Sequence, residues 1–245
     1  MDWHQFSKDW LEEAGRQGFK TGSLVEVDGM SVPFGIKGGQ ESPCLYLSSG
    51  VHGDEPSGPQ ALMGLLKEGF FGEGIQWLIC PLLNPTGLVA GTRENSRGAD
   101  LNRDYRQCQT EEVCAHIRWL KEQCVPEMFL SLHEDWESSG FYFYEINLGG
   151  KGPTHEEILE AASVSFPPEP ELVIDDHEVD APGWIYHAEN PDIPEGWPEA
   201  IYLAKSGCPL SLTFETPSSA LLADRIRCHQ TVVKEAVKRF LDRRD

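Results

Sequence analysis

A chain of 245 residues with 40% hydrophobic and 10% aromatic content holds enough apolar material for one α/β core and too much for a disordered segment. Forty acidic residues against twenty basic ones leave a formal charge of −20, which argues against electrostatic attraction to nucleic-acid phosphates or anionic membrane. No stretch approaches the roughly 18 apolar residues of a spanning helix. The opening MDWHQFSKDWLEEAG has no basic run followed by an apolar one, so the expected protein is soluble and cytoplasmic, with no membrane partner.

Phe6, Trp10, Leu11 and Ala14 repeat at helical spacing, and residues 23–36 alternate like a strand pair around Asp28-Gly29, which predicts a hairpin. Cys44 to Leu47 reads as a short buried strand. It runs through a turn-rich loop, Ser49 to Gly58, into a helical pattern over Gln60 to Lys67. The unit recurs: a strand over Ile75 to Leu83, a turn at Asn84-Pro85-Thr86-Gly87, a helix over Glu111 to Gln123 and a strand over Met128 to Leu132 that His133 closes. Residues 141–148 are strand-like, and Thr154 is an N-cap candidate for a helix to Ser163. The Pro-, Asp- and Glu-rich residues 166–200 read as a surface excursion, because a buried strand over Cys208 to Phe214 and a helix over Leu221 to Leu241 resume the pattern. Strands alternating with helices predict one α/β domain over residues 1–245, with helices on both faces of the sheet. The seven scattered cysteines contain no CxxC pair, so buried free thiols are expected.

His52-x-x-Glu55 has the residue types of a metal pair, but the spacing arises by chance in so acidic a chain, and His177-x-x-Asp180 is a second instance. Position gives it weight. Ligands of open α/β sheets gather beyond the carboxyl ends of the strands, where His52, Glu55, His133 and Glu215 all fall.

The ordered set His52-x-x-Glu55, Asn84-Pro85-x-Gly87, Gly91-Thr92-Arg93-Glu94-Asn95, Gly98-Ala99-Asp100-Leu101-Asn102-Arg103, Ser131-Leu132-His133 and Thr213-Phe214-Glu215 resembles the zinc carboxypeptidase family M14. That family includes murein-peptide amidases and, as a neighbouring branch, succinylglutamate desuccinylases and aspartoacylases. The resemblance implies a three-layer α/β/α fold with a mixed, mostly parallel central sheet, and one zinc ion held by His52, Glu55 and His133. Two imidazoles and a carboxylate leave a fourth position open for water, as in the His₂Glu sites of zinc hydrolases. The resemblance further implies Glu215 as general base, Arg93 as oxyanion donor, Asn102 and Arg103 as the grip on a substrate carboxylate, and Asp100 as the carboxylate that orients His52.

Arg97 is the rival of Arg93. Asp54 and Glu134 flank ligands but read as solvated or supporting groups, and His4, His116, His155, His177, His187 and His229 as surface or core histidines. Phe141-Tyr142-Phe143-Tyr144 reads as a packed strand rather than a substrate platform. The family's mobile-loop tyrosine has two candidates, Tyr186 and Tyr202, between which the spacing does not decide. The expected activity is a metallocarboxypeptidase on small peptides. An N-acyl amino acid deacylase is the alternative, and an inactive carboxylate-binding protein is the rival from another class.

Overall fold

The computed structural model describes residues 2–151, 154–189, 191 and 196–244. Helix α1 (Trp3–Arg16) turns Phe6, Trp10 and Ala14 inward, and the Asp2 side chain caps it by accepting from the His4 amide. The hairpin of β1 (Lys20–Val27) and β2 (Met30–Lys37) follows, with Val27 opposite Met30. Asp28 and Gly29 take φ of 51° and 77°, the paired left-handed backbone of a type I′ turn, whose twist suits a two-residue hairpin.

Along the chain lie β3 (Cys44–Ser49), α2 (Ser57–Lys67), β4 (Gln76–Cys80), α3 (Pro85–Ala90), a 3-10 turn (Leu101–Arg103), α4 (Glu111–Lys121), β5 (Met128–Asp135) and β6 (Tyr142–Asn147). Then come α5 (His155–Ala162), β7 (Val173–Ile174), β8 (His177–Glu178), β9 (Trp184–His187), α6 (Glu199–Lys205), β10 (Leu210–Pro217) and α7 (Leu222–Asp242). Eight strands form one sheet in the order β1-β2-β4-β3-β5-β10-β6-β9, while β7 and β8 pair separately. The centre, β4-β3-β5-β10, is parallel, β2 and β6 run antiparallel to it, and β9 is parallel to β6. The sheet is therefore mixed and mostly parallel, as the resemblance implies.

Period-two alternation sorts the side chains into two cores. Leu45, Leu47, Leu130, Leu132, Leu212 and Phe214 pack beneath α1, α2, α5 and α7, where Trp10, Leu65, Ile158 and Val233 are buried. Tyr46, Leu78 and Phe129 face α4 and α6, against Val113, Ile117 and Leu203. Each such large side chain contributes about 1.5–3 kcal/mol on full burial.

The structure departs from the sequence reading at four places. Asn84 to Gly87 is not a free turn: Asn84 is the N-cap of α3, its Oδ1 accepting from the Gly87 amide, with Pro85 at the first helical position. β5 runs on past His133 to Asp135. Thr154 stands at the start of α5, but its side chain makes no cap bond. Residues 166–200 are not only an excursion, because β9 extends the main sheet and α6 opens at Glu199. Flanking acidic and proline residues hide the four-residue apolar signal of Trp184–His187. The cysteine expectation also fails for one pair. Asp104 accepts from the Gln109 and Thr110 amides and closes a loop in which Cys108 (φ 54°) is bonded to Cys114 on α4. Cys44, Cys80, Cys124, Cys208 and Cys228 are free. Among the described residues no helix is long and apolar enough to cross a membrane.

Candidate metal centre

The parallel strands β3 and β5 end at the same edge, and β3 hands the chain to the loop carrying His52 and Glu55. Packing fixes this loop's path. A Cβ on Gly53 would lie 2.0 Å from the Gly87 carbonyl carbon, so only glycine lets the loop cross α3 this closely. The Gly53 amide donates to the Arg93 carbonyl (3.2 Å), which also accepts from Asn84 Nδ2 (3.2 Å). The Asn-Pro-x-Gly motif thus builds the support under two site segments. Asn95 works likewise, its Oδ1 accepting from the Arg97 and Ala99 amides while its Nδ2 donates to Glu112.

His52, Glu55 and His133 are all buried, and one ligand atom from each lies within 4.8 Å of the others, the one such cluster among the described residues. His52 Nδ1 is 2.5 Å from Glu55 Oε1, and His133 Nδ1 is 3.0 Å from Glu55 Oε2. Yet Glu55 Oε2 and His52 Nε2 accept or donate no hydrogen bond, although the carboxylate of Asp100 lies 3.5 Å from the latter. Buried polar atoms that stand close without alignment, in a His₂Glu donor set, fit a shared divalent ion such as zinc. Burial works to lower the His52 imidazole, but the Glu55 carboxylate prevails and holds it at about 9. Burial works to raise Glu55, and the two imidazoles outweigh it, bringing the carboxyl to about 2. His133 is lowered, chiefly by burial.

Asp100 serves three partners. Its Oδ1 caps the 3-10 turn through the Asn102 amide (2.9 Å) and faces His52 Nε2, while its Oδ2 accepts from Arg93 Nε (3.0 Å). Burial works to raise its pKa, yet His52, Arg93 and Arg103 hold the carboxyl well below the ordinary range. Arg93, tethered through Nε, brings Nη1 to 3.3 Å from His52 Nδ1. Arg97 instead pairs with Glu111 on α4, exposed. Of the two arginines, Arg93 stands at the cluster. Asn102 is buried and its Oδ1 accepts from the Glu199 amide (3.0 Å), so its Nδ2 is the end left to donate. Arg103 is exposed, its Nη1 folded onto the Asn102 carbonyl (3.0 Å).

Glu215 on β10 is the register partner of His133 on β5 and of Tyr142 on β6, so the three side chains share one face of the sheet. Burial, then the charges of Glu55, Asp135 and Asp175, push the Glu215 carboxyl well above its ordinary value. Tyr142, whose hydroxyl donates to Asp135 (3.2 Å), was legible only as half of an alternation: Phe141 and Phe143 enter the core while Tyr142 and Tyr144 face the site side. Neither Tyr186 nor Tyr202 is brought to the cluster. Tyr186 packs against Trp184 on the opposite face, and Tyr202 lies against Tyr105. His177 rests against Tyr144 and His187, apart from the metal cluster.

Sequence reasoning also missed a buried polar chain under the site. Ser48 Oγ and Tyr46 Oη each donate to Glu199 (2.7 Å), His116 Nε2 lies 2.7 Å from Tyr46 Oη, and Tyr105 Oη lies 2.8 Å from His116 Nδ1. One hydrogen per link satisfies every member, with His116 neutral and Glu199 ionised. No motif marks it, since its members come from four separate segments.

A family model for the succinylglutamate desuccinylase/aspartoacylase catalytic domain matches residues 41–118. No curated protein matches the chain by sequence. Among solved structures, a protein of Shewanella denitrificans that bears the name of a metallopeptidase superposes with a TM-score of 0.84 at 24% identity, covering 96% of this chain and 88% of its own. A like-named protein of Shewanella amazonensis gives 0.82 at 22% identity, covering 96% and 92%. A metallo-carboxypeptidase from Burkholderia cenocepacia gives 0.64 at 18% identity, covering 95% and 69%. The fold is that of the metallo-carboxypeptidases. The likeness to the zinc carboxypeptidase family M14, with its desuccinylase/aspartoacylase branch, is thereby borne out in sequence over residues 41–118 and in backbone over nearly the whole chain.

Proposed function

We propose that the protein is a zinc-dependent hydrolase that cleaves an amide bond next to a free carboxylate, acting as a metallocarboxypeptidase on small peptides. The observation that carries this reading is Glu215 in register beside His133, on the same face as a buried His₂Glu cluster. His52, Glu55 and His133 would hold the ion. Zinc supplies Lewis-acid polarisation of the carbonyl and lowers the pKa of water from 15.7 towards about 7. Glu215 takes the proton of the attacking water and returns it to the leaving amine. Arg93 meets the negative charge that develops on the carbonyl oxygen, and Asp100 holds Arg93 by a hydrogen bond and faces His52. Asn102 and Arg103 hold the substrate's carboxylate.

A second reading, an N-acyl amino acid deacylase, is favoured by the family model over residues 41–118. It needs the same base, metal and carboxylate grip. An inactive carboxylate binder has no use for a carboxylate poised as base, which weighs against that rival. Metal analysis beside a panel of dipeptides, a murein tripeptide and N-acyl amino acids separates the three. Peptide cleavage with stoichiometric zinc is expected. Turnover of N-acyl amino acids alone supports the deacylase, and zinc without turnover supports the binder. In His52→Ala and His133→Ala zinc and activity should disappear together, and full zinc occupancy in either would overturn the ligand assignment.

A further inference from the structure

The ligands come from two elements that share no covalent neighbourhood: His52 and Glu55 precede α2, whereas His133 sits in β5. Something must set the distance between them. Glu134, next to His133, points to the opposite face of the sheet, where its side chain is fully buried. There its Oε1 accepts from the Ser57 amide (2.6 Å), the first residue of α2 and two beyond Glu55. Its Oε2 accepts from Arg225 Nη1 of α7. The residue before α2, Pro56, gives the helix no side-chain cap. A carboxylate at an uncapped helix N-terminus satisfies an otherwise unpaired amide and opposes the positive end of the helix dipole. The approach is tight: a Cβ on Gly58 would lie 2.9 Å from Ser49 Cβ and 3.0 Å from the Leu132 carbonyl oxygen.

We propose that Glu134 is a positioning residue of the metal centre, capping α2 from the neighbouring strand so that the His52–Glu55 loop is held at ligand distance from His133. The inference rests on His52, Glu55 and His133 being the ligands. It assigns Glu134 no contact with the ion or substrate. Its action passes through the Ser57 amide, and Arg225 neutralises the buried charge that this cap requires.

The test is the affinity of the full-length zinc-free protein for Zn²⁺, measured by competition with a chromophoric chelator alongside the Tm of the same preparations. Replacing the ion pair by apolar side chains, Glu134→Leu with Arg225→Met, leaves no stranded charge and is of the kind of change that is often neutral for stability. This double variant strands the Ser57 amide, so its Tm should fall modestly while zinc binds about 10- to 100-fold more weakly, the usual cost of losing a group that orients a ligand. Glu134→Gln keeps an acceptor for the Ser57 amide and should bind zinc within about threefold of wild type, even if its Tm falls. Unchanged zinc affinity in the double variant, or equal weakening in Glu134→Gln, would overturn the proposal and leave the ligand assignment standing. Wild-type protein that takes up no zinc would overturn both.

Discussion

Arg93 and Arg103 lie within eleven positions of each other, yet their surroundings assign them different work. Arg93 is tied to Asp100 and directed at His52, whereas Arg103 is exposed and folds its Nη1 onto its neighbour's carbonyl. A contact made equally in ground and transition states acts through KM, while one made only with developing charge acts through kcat. Arg103→Ala should therefore raise KM, with C-terminally amidated substrates poor for the wild type. At saturating zinc, Arg93→Ala should lower kcat by about 10²-fold or more with KM little changed. Equal cleavage of amidated and free-acid substrates would remove the carboxylate grip. Glu215→Gln keeps shape and register but cannot take a proton, so zinc should be retained while kcat falls by about 10² or more. Turnover near wild type in that variant rules out its role as base.

Between elements, glycines at close crossings decide whether the ligand loop can take its path. In Gly53→Ala the new Cβ would meet backbone atoms of Gly87 and the Thr92 carbonyl within 2.4 Å, and backbone cannot swing aside as a long side chain can. The substitution should cost about 3 kcal/mol or more, read as a fall in the denaturant midpoint, and should weaken zinc binding with it. A fully stable Gly53→Ala protein would show that the loop is not pinned between α3 and the strand ends. The same crossings explain why some motifs were readable and others not. Asn84 and Asn95 act on partners close by in the chain, so their pattern is local and visible in the sequence. Glu134 and Glu199 act across 77 and 151 positions, on the Ser57 amide and on Ser48, and no spacing rule records that.

Taken whole, the molecule buries two neutral imidazoles, His116 and His229, each pulled down by burial from 6.5 to about 3. The unfolded chain protonates these groups first as pH falls below 6.5, so stability is lost from there towards 3. Glu199 works the other way. Burial raises its carboxyl to about 7, so the folded state gains protons before the unfolded one and stability rises as pH falls from 7 towards 4.5. Glu215, also raised by burial, adds to the gain from Glu199, so imidazoles and carboxyls pull stability in opposite directions as pH falls from about 7 to 5. Thermal scans of zinc-free protein should therefore show Tm falling more steeply, or rising less, between about pH 7 and 5 in Glu199→Gln than in the wild type. Equal pH slopes in the two proteins would contradict a buried Glu199 whose carboxyl is raised.

Legible in the chain alone are the alternation of strands and helices, the hairpin at Asp28-Gly29, and the ordered motifs that contain His52, Glu55, His133 and Glu215. Each of these is a period, a turn preference or a short spacing, and local physics writes such things directly into the chain. Long-range packing puts Arg93 rather than Arg97 at the cluster, lines up Tyr142 rather than Tyr186 or Tyr202 with Glu215, and brings β9 into the main sheet. It alone brings Glu134 to α2 and Glu199 to β3. These are pairings between distant segments, set by sheet order and by which face of a strand each side chain occupies, and a one-dimensional pattern carries neither.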